Sequence, residues 1–352
     1  MIVSTFKKED VEILLDDVRG SVDIVDITHP NKHSNLHYCD FIPTEDHLDK
    51  EYLDIFDRML NITERQTAIY VGILTRKVCK QYDNLVFVSL LRAGTVLGVL
   101  MRRYAKEVMN KDIKHYSIGL SRGKGIDFKA LSDIITANPE KTIVFIDGWV
   151  GKGTTKLELD RTCEKFSEKY KKDVKPIMAV LCDIKNICDF TATTEDILCP
   201  NCLINAQGCG LISRITQNEK IIHENTYNGA VIFKELQEED KTYTLIDNIS
   251  KYFGKEEKTI QKGISYKGEP IVLDDIIKRY QIQNINGIKV GLNETIRILL
   301  KRSVSFVLVK DINNPLLDPI KYLCHKRKVE LKEDRNLFCE SVAIILNHIG
   351  DE

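Results

Sequence analysis

The sequence predicts an α/β protein: a parallel-sheet domain with helices on its faces, followed by a smaller α/β domain. Three observations carry this prediction. Short apolar runs such as Leu85–Leu91 and Thr142–Asp147 alternate with amphipathic stretches at helical spacing, the pattern of strands buried on both faces and joined by crossover helices. Two of these runs end in a glycine turn that opens a helix. A charged, Lys-rich stretch then separates this region from a second alternating block, and 352 residues suffice for two cores.

Taken in order, residues 1–80 read as mostly helical. Asp10–Leu15 starts an amphipathic stretch, and Tyr52–Lys80 keeps Ile55, Met59, Ile62, Ala68, Val71 and Leu74 at helical spacing. The polar Thr28–Asp40 between them reads as a loop. Leu85–Leu91, His115–Leu120, Thr142–Asp147 and Ile177–Cys182 read as strands, with helices over Val96–Met109, Phe128–Ala137 and Lys156–Tyr170. The first domain is expected over 1–240 and a linker over 241–262. A second domain over 263–352 is expected to hold a short strand Ile288–Gly291, a helix Asn293–Arg302, a strand Val304–Val309, a helix Pro319–Arg327 and a strand Val329–Leu331.

Hydrophobic residues make up 43% and charged residues 29%, with a net charge of −1. This is the composition of a soluble globular protein without a global basic field, so nucleic-acid binding would need a local patch. No apolar run has the length of a membrane span, and the polar Met1–Asp10 is not a signal peptide; a cytoplasmic protein without membrane contact is expected. A homodimer is left open.

The segment Thr142–Thr155 is the most informative. A strand runs into Asp147, then Gly148-Trp149-Val150-Gly151-Lys152-Gly153, then Thr154-Thr155 at a helix start. Glycines let backbone N–H groups surround an anion, and the helix N-terminus, Lys152 and the threonine hydroxyls add to the attraction. The lysine precedes the last glycine, so this is not a Walker A loop. The segment resembles the phosphoribosyl pyrophosphate loop of type I phosphoribosyltransferases, although Gly148 and Lys152 replace that motif's second acid and first threonine. Arg92-Ala93-Gly94, after the strand Val86–Leu91, resembles the pyrophosphate turn of the same enzymes, and the basic turn Ser121–Asp127 suits a lid. The resemblance implies phosphate contacts from Gly151, Lys152, Gly153, Thr154, Thr155, Ala93, Gly94 and Arg122. It also implies catalytic roles for Asp147, Arg92 and Lys124, with Mg²⁺ accompanying a phosphorylated ribose or nucleotide. No protein metal site is expected.

Ten cysteines are present, five of them within Cys182–Cys209. Cys199 and Cys202 have CxxC spacing, but the neighbouring cysteines fit no zinc module, and thiols acting as small hydrophobes are expected. With ten cysteines and eight histidines, no pair stands out as a protease nucleophile and base. Together, the N-terminal Ser4-Thr5-Phe6, the Asp147–Gly153 loop and Gly210-Leu211-Ile212-Ser213-Arg214 resemble the phosphoribosyltransferase-like proteins of bacterial tellurium-resistance and stress clusters, the StiP type.

The last block resembles the Pelota-like, kink-turn-binding fold, on Gly291-Leu292-Asn293-Glu294 and Arg297 at a helix start. Gly291, Asn293, Glu294 and Arg297 are the RNA contacts this resemblance implies; a plain helix cap at Asn293 is the simpler alternative. The expected protein is thus a phosphoribosyltransferase-type enzyme with an RNA-binding tail, or else a non-catalytic nucleotide and RNA sensor.

Overall fold

A computed structural model describes residues 1–26, 40–121, 123–255, 257–262 and 273–346. Its centre is a six-stranded sheet in which every neighbouring pair is parallel. In chain order the strands are β1 (Glu12–Ile13), β2 (Leu85–Leu90), β3 (His115–Ile118), β4 (Thr142–Val150), β5 (Met178–Asp183) and β6 (Phe190–Thr193). Across the sheet they run β1-β3-β2-β4-β5-β6. The long apolar runs take the middle positions, as their double-sided burial demands. Val86, Val88, Phe145 and Val180 face one layer of helices, α3 (Phe128–Ala137) and α4 (Thr154–Tyr170). Phe87, Val144, Ile146 and Ala179 face the other, α1 (Lys50–Gln81) and α2 (Ala93–Met109).

Two expectations for this domain are corrected. The N-terminal stretch is not helical at Asp10–Leu15. Glu12–Ile13 pairs with Tyr116–Ser117 as an edge strand, because Val11, Ile13, Leu14 and Leu15 bury more by lying along the sheet than on a free helix. Most of the loop expected at Thr28–Asp40 lies outside the described residues. The expected linker is folded too. It forms α5 (Thr242–Ser250) and α6 (Glu257–Lys262). Leu245, Ile246 and Ile249 share one helical face and join the core of α1 and α2. Glu257 pairs with Arg76 and accepts from the Tyr104 hydroxyl at 2.7 Å, and Ile260 lies over Gly72.

The C-terminal block adds α7 (Leu273–Arg279), β7 (Ile288–Val290), α8 (Leu292–Lys301), β8 (Phe306–Val309), α9 (Asp318–Arg327), β9 (Glu330–Glu333) and β10 (Ser341–Ile344). The sheet order is β7-β10-β8-β9. The buried β10, beyond the last strand read from the sequence, lies antiparallel between β7 and β8. Among the described residues, no helix is long and apolar enough to cross a membrane.

Helix α1 touches both blocks. Its N-cap Asp49 accepts from Tyr52 N–H at 2.9 Å and from the Tyr322 hydroxyl of α9 at 2.8 Å, and pairs with Lys326. Capping fixes where the helix starts, and the α9 contacts fix what it starts against.

Gly94 opens α2 so close to β4 that a Cβ there would lie 2.1 Å from the Ile146 carbonyl oxygen. The variant Gly94→Ala is expected to lose at least about 1–3 kcal/mol, the usual cost of overpacking a core, read as a lowered denaturation midpoint. An unchanged midpoint would mean that α2 and β4 do not approach this closely.

Candidate functional site

The first domain and the C-terminal block meet along a seam built of buried polar groups. Asn293, at the start of α8, accepts from Cys199 N–H at 2.8 Å and donates to the Ile197 carbonyl at 2.9 Å. Asp196 accepts from the backbone N–H groups of Leu292 (3.0 Å) and Glu340 (2.9 Å). Trp149 Nε1 donates to Glu294 at 2.8 Å, and the Arg297 guanidinium lies over the indole, 5.7 Å from its centroid. Gly291, with φ +90°, leaves room for Ile184 and Asp196, where a side chain would collide. Each group is satisfied only because the other domain is there.

Beside this seam opens a cleft of about 400 Å³, with walls from both domains. Gly151, Lys152, Gly153, Thr154 and Thr155 line it from one side and Lys289, Glu294, Arg297, Lys301 and Arg302 from the other, with Arg92 and Arg214 between. Seven of its lining side chains are cationic and two acidic. Arg92 is buried; its Nη1 bridges Glu45 (2.6 Å) and the Ile212 carbonyl (3.0 Å), while its Nη2 has no hydrogen-bond partner. Burial would push the Glu45 carboxyl up, but Arg92 and Lys301 hold it below the usual range. Burial, then Arg297, Arg92 and Arg214, push the Lys301 ammonium well down.

The residues expected to hold phosphate are divided by the structure. The loop 151–155 reaches the cleft, but Gly151 makes its close approach to Val290, whose carbonyl oxygen would lie 2.8 Å from an added Cβ. Lys152 Nζ donates to the Ile285 carbonyl at 2.7 Å. Gly153 caps α4 at φ +92°, a conformation that favours glycine. Asp147 does not line the cleft; its Oδ1 accepts from Gly148 N–H at 2.8 Å, and burial pushes its carboxyl up to about 7. Ala93 and Gly94 begin α2 away from the cleft, the Ala93 carbonyl accepting from Asn201. Lys124 pairs with Glu219 outside it, and Arg122 lies outside the described residues. Of the expected RNA contacts, Gly291 and Asn293 are buried in the seam, whereas Glu294 and Arg297 also line the cleft. Glu45 was not singled out from the sequence, since no local pattern marks it.

The cysteines among the described residues form no disulfide and are mostly buried. Among the described residues no three or more His, Cys, Asp or Glu side chains gather as a metal site. Cys182, Cys199, Cys202 and Cys209 belong to the core beside α1 and α2. Cys209 sits directly behind the cleft: its Sγ donates to the Arg92 carbonyl oxygen at 3.2 Å. Burial pushes this thiol up to about 11, while the Arg92 and Arg297 guanidiniums and the Thr95 hydroxyl act the other way.

Comparison with known proteins gives a consistent picture. The family model described as "Tellurite-like stress resistance cysteine protease StiP" matches residues 4–250, and one described as "PELOTA RNA binding domain" matches residues 270–347. A relative from Acinetobacter baylyi (strain ATCC 33305 / BD413 / ADP1), named "Cysteine protease StiP", is 30% identical over 295 residues, 79% of this chain and 76% of the relative. A solved hypoxanthine-guanine-xanthine phosphoribosyltransferase covers 38% of this chain at 13% identity with a TM-score of 0.24, too low to carry an argument. The phosphoribosyltransferase activity and the phosphoribosyl pyrophosphate ligand expected above are therefore corrected: the matching family and relative are described as cysteine proteases. The alternative of a non-catalytic sensor goes with them.

Burial raises the Asp196 carboxyl to about 7, from an ordinary value of 3.8. A carboxyl raised on folding binds its proton more tightly in the native state, so its contribution falls as pH rises from about 4 through 7. His115, buried and held down to about 3, acts oppositely below about 6.5, so the comparison must be internal. Between pH 5 and 8, wild type should lose stability relative to Asp196→Asn in denaturant titrations. Parallel profiles for the two proteins would contradict the buried carboxyl.

Proposed function

This chain belongs to the StiP family, and on that premise we propose that it is a thiol-dependent peptide hydrolase whose nucleophile is Cys209 and whose C-terminal domain binds RNA. The observation that carries the assignment to Cys209 is its position, with Sγ against the backbone of a cleft-lining arginine and two guanidiniums in electrostatic reach. Cationic surroundings favour the thiolate, the form that attacks. The family description supports the hydrolase, and the Pelota match over 270–347 supports the RNA-binding tail.

The chemistry runs through an acyl-enzyme. Cys209 Sγ attacks a peptide carbonyl carbon, the C–N bond breaks, and the amine leaves with the thiol's proton. Water then cleaves the thioester, releasing the acid and restoring the thiol. In the geometry described, burial keeps Cys209 protonated. This is a resting thiol, and catalysis requires water and substrate to reach it from the cleft side.

Full-length protein incubated with a fluorescently labelled denatured protein, with and without structured RNA, tests the proposal. Wild type should release labelled peptides and lose the activity after alkylation. Cys209→Ser should be slower by about a thousandfold or more, the usual scale for deleting a nucleophile. Wild-type rates in Cys209→Ser would move the nucleophile elsewhere, and an inactive wild type under every condition would defeat the hydrolase.

A further inference from the structure

The cleft between the domains is lined by more cations than acids. Its seven cations face two acids, one of which, Glu294, already accepts from Trp149. Glu45 answers Arg92 from behind the wall but bonds only its Nη1. Arg92 Nη2 is left as a buried donor without an acceptor, although the residue is only 7% exposed. A buried unsatisfied donor costs about 1–3 kcal/mol unless something supplies the missing acceptor. Lys301, also lining the cleft, is repelled by Arg297, Arg92 and Arg214. Cations gathered at this density are stable when an anion sits among them.

The identity of that anion follows from which segments supply the charge. Lys289, Arg297, Lys301 and Arg302 all lie within residues 270–347, the region matched by an RNA-binding domain model. The polar edge of the same helix α8 at Gly291 and Asn293 is closed by the first domain, while Lys289, Arg297, Lys301 and Arg302 open into the cleft. A volume of about 400 Å³ lies in the range of small-ligand pockets, which suits one unstacked nucleotide with its flanking phosphates and excludes a duplex. Unpaired nucleotides are the parts of RNA that proteins take into pockets.

We propose that the interdomain cleft is the RNA-binding site, taking an unpaired nucleotide whose phosphates are held jointly by Lys301, Arg297 and Arg302 of the C-terminal domain and by Arg92 Nη2 of the first domain. This deepens the RNA reading above and rests on it. It also gives the first domain a direct part in RNA recognition and places the RNA phosphate on the arginine whose carbonyl receives the Cys209 thiol.

Binding of a labelled stem-loop RNA to the full-length protein, measured over a range of salt, tests the site. Lys301→Met should weaken binding about tenfold and reduce the slope of log K against log salt by about 0.7–1, the loss of one phosphate contact. Lys172→Met, at an exposed position outside the cleft, should leave both unchanged. Bound RNA should also protect Lys301 of the wild-type protein from acetylation, a readout that needs no variant. Inorganic tripolyphosphate should compete, but only at much higher phosphate concentration; if it competes equally well, the site takes a free phosphate anion and the RNA assignment is wrong. RNA binding unaltered by Lys301→Met, with Lys301 unprotected, would overturn the cleft while leaving RNA binding in place. No RNA binding by wild type at low salt would overturn the RNA reading itself.

Discussion

The hydrogen bonds from Asp196 and Asn293 across the seam hold the rest of the arrangement in place. Four backbone groups, the N–H of Cys199, Leu292 and Glu340 and the carbonyl of Ile197, find partners there. Separation of the domains would return all of them to water, together with a carboxyl that burial has pushed to about 7. Polar seams of this kind contribute less affinity than orientation, because each bond replaces one to water. They are also unforgiving, because an unmatched buried group is costly. The seam therefore sets one register between the domains, and that register creates the cleft.

The central sheet was legible because its signal is local. Leu85–Leu90 and Thr142–Val150 are apolar on both faces, and few structures other than an interior parallel strand use such a run. The edge strand Glu12–Ile13 was not legible: it is two residues long and defined by a partner a hundred positions away. Helices α5 and α6 were hidden by composition. A stretch rich in Lys and Glu reads as solvated until Glu257 is seen meeting Arg76 and Tyr104, and those partners cannot be inferred from spacing.

In the loop after β4, expected as a phosphate cradle, carbonyl groups of the C-terminal block occupy two of the approach points. Its glycines, lysine and helix start are there for close approach and for positive charge, as the pattern implies. What approaches Gly151 is the Val290 carbonyl, and what Lys152 meets is the Ile285 carbonyl. A carbonyl oxygen is a partial negative charge, so glycine N–H groups and a lysine attract it on the same physical grounds as they would a phosphate oxygen. Thr154 and Thr155 still face the cleft. Glu45 and Lys301, 256 positions apart in the chain, come within electrostatic reach only through the docking of the domains, so their pairing could not be recognised from the neighbours of either.

Helix α1 gives this architecture a mechanical property. It is 32 residues long, about 48 Å at 1.5 Å per residue. Its N-terminal end is tied to α9 through Asp49, Tyr322 and Lys326, and farther along it is clamped to α6 through Arg76 and Glu257. The helix is thus a strut that joins the C-terminal block at one end to α6 near the other, so the two attachments are held at a fixed separation across the first domain.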